Sequence, residues 1–170
     1  DLQIVALTGW PVTGVAGAEN RALLRAALDV GADIVGGCPH LDDDPDDATE
    51  HFIVIAAEYG RSIDLHTDET LDPHKLALRD LARRVISSGF AYQVAASHCV
   101  SLGVQDEHTQ AKVAVVAGPL ARRAKDAITG AIALSMCLVD GLDDGGFASL
   151  RACCTRAPAG FVASDTGPDD

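Results

Sequence analysis

Along the first hundred residues, short apolar runs alternate with longer stretches whose apolar positions recur every three or four residues. Short runs bounded by turn formers read as strands, and the 3.6-residue recurrence reads as helix. Leu2 to Leu7 is the first predicted strand, followed by a loop with Gly9, Pro11, Gly14 and Gly17. A helix is predicted from Ala18 to Val30, with Leu23, Leu24, Ala27 and Leu28 at helical spacing and Gly31 as its stop. Ala32 to Cys38 is the second strand, closed by Pro39-His40. The acidic loop 42–47 then starts a second helix, because carboxylates favour the positive end of the helix dipole. This helix carries Phe52, Ile55, Ala56 and Tyr59 on one side and ends at Gly60. Ser62 to His66 is the third strand, and Asp72-Pro73 opens a third helix that stops near Gly89. Tyr92 to Ser97 is the fourth strand, with His98 at its end.

The strand ends fall roughly thirty residues apart, the size of one βα unit. Strands and helices in strict alternation predict an α/β fold with a parallel sheet. Beyond Lys112 the pattern loosens: Val113 to Ala117 reads as a fifth strand, with little room for a helix between His108 and Val113. Ala124 to Val139 reads as an apolar helix, and Phe161 to Ser164 as a last strand, followed by Asp165. No linker divides the chain, so residues 1–170 are read as a single domain.

The chain of 170 residues is long enough for one real core but shorter than the ~250 residues typical of a closed (β/α)8 barrel. It opens inside a strand, which leads us to expect further sequence upstream. The formal charge of −12 disfavours nucleic acid or an anionic membrane as the main partner. Five cysteines, an odd number with no C-x-x-C pair, fit reduced thiols and a cytoplasmic location. No apolar run reaches the 18 residues that would suggest a membrane span.

Chemistry concentrates at the strand ends. In a parallel α/β barrel the loops after the strands form the mouth of the site, and His66 and His98 both end strands. One strand-end histidine is more often structural; two on successive strands, one followed by Asp68-Glu69, favour a site. Imidazole and carboxylate can hold a divalent ion that makes water nucleophilic at neutral pH. A nearby carboxylate then moves protons, and both Glu69 and Asp68 are candidates, Asp68 alternatively capping the following turn. The run Asp42 to Asp47 lacks the spacing of a calcium loop and reads as solvated. His40 reads as lining the mouth, His74 as exposed, and His51 and His108 as lacking any partner pattern. Cys99 beside His98 is disfavoured as a nucleophile, since neighbours on a strand face opposite ways. Trp10 is read either as a cover for a substrate ring or as loop packing. Neither a phosphate-binding glycine loop nor the paired cysteines of a cysteine-ligated zinc deaminase occurs.

Four blocks carry a resemblance: Asp1-Leu2-Gln3-Ile4-Val5-Ala6, Gly31-Ala32-Asp33-Ile34-Val35-Gly36, Ile63-Asp64-Leu65-His66-Thr67-Asp68-Glu69 and Ala96-Ser97-His98. In order and spacing over residues 1–110, they resemble the cytosine-deaminase branch of the metal-dependent amidohydrolase superfamily. The resemblance implies a partial (β/α)8 barrel holding strands three to six, the first two lying upstream, with residues 115–170 divergent. It implies that His66 is a metal ligand, Glu69 the proton shuttle and His98 the residue that positions the attacking oxygen or substrate. Asp165 stands about where the family's last metal-binding aspartate falls. Zinc or ferrous iron is the implied metal, and a small heterocycle the implied substrate. Members acting on cytosine read it with a glutamine after the first strand seen here; this chain has Leu7-Thr8-Gly9-Trp10-Pro11, which points away from cytosine. Deamination is the expected reaction. Hydrolysis of a cyclic amide or N-alkylamide on the same site, and a non-catalytic fragment that self-associates through an open sheet edge, are the alternatives.

Overall fold

The computed structural model describes residues 3–113 in full and the backbone of residues 132–136. Five parallel strands form one sheet in sequential order: β1 Val5–Leu7, β2 Ile34–Gly37, β3 Ser62–Thr67, β4 Val94–His98 and β5 Ile132–Met136. Between the first four lie α1 Ala18–Asp29, α2 Pro45–Tyr59 and α3 Ala77–Ser88. A short α4, Val100–Gly103, follows β4, and residues 107–113 are helical.

Sequential strand order with crossovers of one hand puts the helices on one side of the sheet. Burial follows that geometry. Ala6, Val35, Ile63, Leu65, Val94 and Ala96 are buried with Leu24, Leu28, Phe52, Ile55, Leu78 and Leu81 of the helices. The alternate strand positions are more open: Val5 and Leu7 are 39% and 56% exposed, and Asp64, His66, Ala95 and Ser97 are half-buried. The sheet thus has a dry face under helices and a second face, more polar along β3 and β4, that carries His66.

The helix ends explain themselves. Asp44 accepts a hydrogen bond from the Asp47 N–H at 3.0 Å, so it caps α2, with Pro45 at the first helical position. Gly60 and Gly89 close α2 and α3 with φ of 64° and 66°, a left-handed conformation that glycine adopts without steric cost.

Three expectations fail. Asp72-Pro73 does not open α3: Asp72 closes a local turn by accepting from His74 N–H at 2.9 Å, and the helix starts at Ala77. Residues 107–113 are helical, so Val113 does not begin a strand. The predicted apolar helix 124–139 contains β5 instead, in register with β4 from Val94↔Ile132 to His98↔Met136. A short apolar run does not by its periodicity separate a strand from a buried helix. The predicted strand 161–164, Asp165, and Cys137, Cys153 and Cys154 lie outside the described residues. Among those described, no helix is long and apolar enough to cross a membrane.

Candidate active site

Strict alternation along β3 buries Ile63, Leu65 and Thr67 and leaves Asp64 and His66 on the open face. Register then poses a problem for His98. His66 pairs with Ser97, and Thr67 pairs with His98. Parity alone would turn His98 toward the helices along with Thr67. The backbone at His98 is left-handed instead, with φ 70°, and the ring comes back to the open face. His98 Nε2 lies 3.2 Å from His66 Nδ1, with ring centroids 4.8 Å apart and planes tilted by 53°.

Glu69, half exposed in the loop above β3, completes the group. Its Oε2 is 3.6 Å from His98 Nε2 and 3.9 Å from His66 Nδ1. Ligand atoms of all three residues lie within 4.8 Å of one another, the one such cluster among the described residues. Two bare lone pairs facing each other at 3.2 Å would repel, so the imidazoles share either a proton or a cation. Nitrogens bound at about 2.0–2.1 Å to one tetrahedral ion stand about 3.4 Å apart. The donor set therefore suits zinc or another borderline divalent metal.

Strain gathers here too. Among the described residues the non-glycine residues with positive φ are Asp68, His98 and Cys99, at 56°, 70° and 53°. Left-handed backbone costs a residue with a Cβ roughly 1–2 kcal/mol, and such conformations cluster at functional sites. The turn after β4 is held by Cys99 N–H, which donates to the Thr67 carbonyl at 2.8 Å.

A buried histidine supports the cluster from behind. His40 is only 6% exposed, and its Nδ1 lies 3.0 Å from the His66 carbonyl oxygen. A carbonyl only accepts, so Nδ1 carries the proton and donates. Burial lowers the His40 pKa below the ordinary histidine value. Burial also raises the Cys38 thiol above its usual value, with the nearby Glu69 charge adding to the effect.

Of the two shuttle candidates, Asp68 is directed elsewhere. It is fully buried and its carboxylate accepts from Ala77 N–H and Leu78 N–H at 2.8 and 2.9 Å. Burial raises its pKa to about 6, against the lowering pull of those two N–H groups. Nor is the aspartate run wholly solvated. Asp42 is 3% exposed, accepts from Val12 N–H at 2.6 Å and also binds the Thr13 hydroxyl. It pins the loop after β1, which Asn20 also holds through the Pro11 carbonyl at 2.8 Å. No local pattern could have marked Asp42, since its partners lie thirty residues back in the chain. Trp10 on that loop is 60% exposed. His74 and His108 are exposed, and His51 faces Asp47 at 3.6 Å. Cys99 is buried, its thiol 3.8 Å from the Ala96 and Ser97 carbonyls.

No protein-family model matches the chain. A pterin deaminase of Rhizobium rhizogenes is 36% identical over 110 residues, covering 65% of this chain and 25% of that protein. The crystal structure of a 5-methylcytosine deaminase from Klebsiella pneumoniae, liganded with phosphonocytosine, superposes with a TM-score of 0.60 and 34% identity. That match covers 68% of this chain and 28% of the other. The N-isopropylammelide isopropylaminohydrolase from Burkholderia multivorans superposes with a TM-score of 0.64 and 26% identity, over 89% of this chain and 36% of its own. The chain spans a quarter of the length of the curated relative it matches.

Proposed function

Because this chain is related to the amidohydrolase-superfamily deaminases and matches a part of them, we propose that it serves a metal-dependent hydrolysis of carbon–nitrogen bonds other than peptide bonds, most simply the deamination of a small heterocycle. The observation that carries this reading is the convergence of His66, Glu69 and His98 at the C-terminal ends of two adjacent parallel strands.

In this reading His66 holds a divalent ion, zinc or ferrous iron, with Asp165 as a further ligand. When bound, the ion supplies the Lewis acidity that makes water nucleophilic at neutral pH. Glu69 faces both imidazoles at 3.6 and 3.9 Å, close enough to pass a proton beside them, and in this reading it is the proton carrier. It takes the proton from the attacking water and delivers it to the departing nitrogen. The ring of His98 holds the attacking oxygen by a hydrogen bond. The ring carbon gains a C–O bond, loses its C–N bond, and ammonia leaves. The residues after β1 lack the glutamine with which cytosine is read, so a different aminated heterocycle is the substrate class. The location is cytoplasmic, suited to Cys38 as a free thiol.

A second reading, release of an alkylamine from the same site, is favoured by the match to the isopropylaminohydrolase, which covers 89% of this chain. Product analysis separates the two: ammonia for the first, an alkylamine for the second, across aminopyrimidines, pterins and N-alkylated triazines. Zinc or cobalt binding should weaken more than about tenfold in His66→Ala, the loss of one of about three protein ligands. Glu69→Gln should keep the metal and lose about 10²–10⁴ in turnover. Metal affinity unchanged in His66→Ala, or full turnover in Glu69→Gln, would remove the basis of this assignment. Metal binding without release of any amine would leave the non-catalytic alternative.

A further inference from the structure

Asp68 lies between His66 and Glu69 in sequence, yet its side chain does no chemistry at the cluster. Its two carboxylate oxygens are each taken by one of the first two N–H groups of α3, those of Ala77 and Leu78. Its carbonyl accepts from Thr70 N–H at 2.8 Å and from Ser101 N–H, in the first turn of α4, at 3.1 Å. The same joint is closed by the Ser101 hydroxyl, which donates to the Lys75 carbonyl, and by Gln105 Nε2, which donates to the Pro73 carbonyl at 2.7 Å. One fully buried residue thus joins the loop that carries Glu69, the start of α3, and the helix that begins just after His98.

We propose that Asp68 is the positioning residue of this site: its carboxylate and carbonyl together hold Glu69 and His98 against His66. For its chemical meaning this rests on the hydrolase reading above. The physical argument is local. Glu69 follows a residue whose φ is 56°, so the direction in which Glu69 leaves β3 is set by a backbone conformation that most side chains resist. The two bonds to α3 stabilise that conformation, because helix-start N–H groups lack intrahelical partners and favour a negative charge. Loss of the carboxylate frees the loop to relax, and Glu69 swings away from the imidazoles. Asparagine tolerates left-handed backbone and keeps one of the two acceptor oxygens, so Asp68→Asn preserves the backbone conformation and one of the two bonds to α3. Alanine preserves neither feature, whereas glycine keeps the backbone and loses only the cap.

The test measures arrangement rather than turnover. In the 170-residue chain at one fixed pH, the imidazole resonances of His66 and His98 are recorded with and without Glu69→Gln, in backgrounds carrying Asp68, Asp68→Asn, Asp68→Gly and Asp68→Ala. Glu69→Gln is expected to perturb both rings in the wild-type and Asp68→Asn backgrounds. The perturbation falls to less than about a third in Asp68→Ala and Asp68→Gly, as coupling lost between neighbours in one network requires. Amide exchange at Ala77, Leu78 and Ser101 rises in the same two variants. Undiminished perturbation in Asp68→Gly, with the Ala77 and Leu78 amides opened, would reduce Asp68 to a helix cap and overturn the proposal. If Asp68→Ala fails to fold, Asp68→Gly and Asp68→Asn decide the matter. The readout needs neither metal nor substrate, so failure of the hydrolase reading would show separately, in metal binding and amine release.

Discussion

His40 shows how much a single buried group can report. Its Nδ1–H donates to the carbonyl of His66, and burial lowers its pKa. With a folded value below the unfolded value of about 6.5, the unfolded chain takes up a proton that the folded chain resists. Stability from this group is therefore complete above about pH 6.5 and is lost as pH falls below it. His40→Asn keeps a donor in nearly the same place and removes the titration. Urea denaturation from about pH 7.5 down to about 5.5 should show wild type losing stability relative to His40→Asn; parallel curves would contradict the assignment. At this scale the sequence was partly legible. His66 and Glu69 stand out from their place after an apolar strand. The return of His98 to the open face does not, because alternation predicts the opposite and a left-handed backbone reverses it. Asp68 was legible only as two alternatives, and its partners at Ala77 and Leu78 decided between them.

Elements are set by their apolar stripes and by close approaches that leave no room for a side chain. Gly37, at the end of β2, packs beneath Phe52 of α2, and a Cβ there would overlap the phenyl ring. Phe52 is 1% exposed and has nowhere to go. Gly37→Ala should cost roughly 1–3 kcal/mol, as overpacking in a filled core does. Combining it with Phe52→Leu should recover part of the loss, a coupling that denaturant midpoints in a double-mutant cycle would measure. Additive losses would mean the two do not meet. The helices α1 and α2 were read from spacing to within a few residues, because their stop signals, Gly31 and Gly60, are local. α3 starts later than the Asp72-Pro73 signal predicts because its acidic cap comes from Asp68, before the intervening loop, rather than from the adjacent Asp72. β5 escapes a reading from spacing because a short apolar run fits strand and buried helix equally.

At the scale of the molecule, the described helices cover one side of the sheet, and among the described residues the other side is the more exposed. β1 is the terminal strand of the described sheet, and beside it lies a cleft of about 160 Å³ lined by Ala6, Leu7, Thr8, Leu23, Leu24 and Ala27. Leu7 is 56% and Leu23 59% exposed. Among the described residues no strand pairs with the outer edge of β1, and such an edge beside exposed leucines invites pairing with another chain. The 170-residue chain is thus expected to associate as its concentration rises, and Leu7→Lys to oppose this, since charge on an edge strand blocks pairing. Light scattering coupled to gel filtration would read the mass; a wild-type chain that stays monomeric at high concentration would speak against it.

The amino-acid sequence alone determined the α/β alternation, the parallel sheet, the helical faces and the presence of two imidazoles and a carboxylate at strand ends, because these follow from apolar period and from short-range stop signals. Only the tertiary structure decided that His98 turns back toward His66, that Asp68 serves a helix while Glu69 faces the rings, and that Asp42 and His40 are buried supports. Each of those outcomes depends on partners well removed along the chain or on a backbone angle that no local pattern encodes, and so it exists only once the strands have paired.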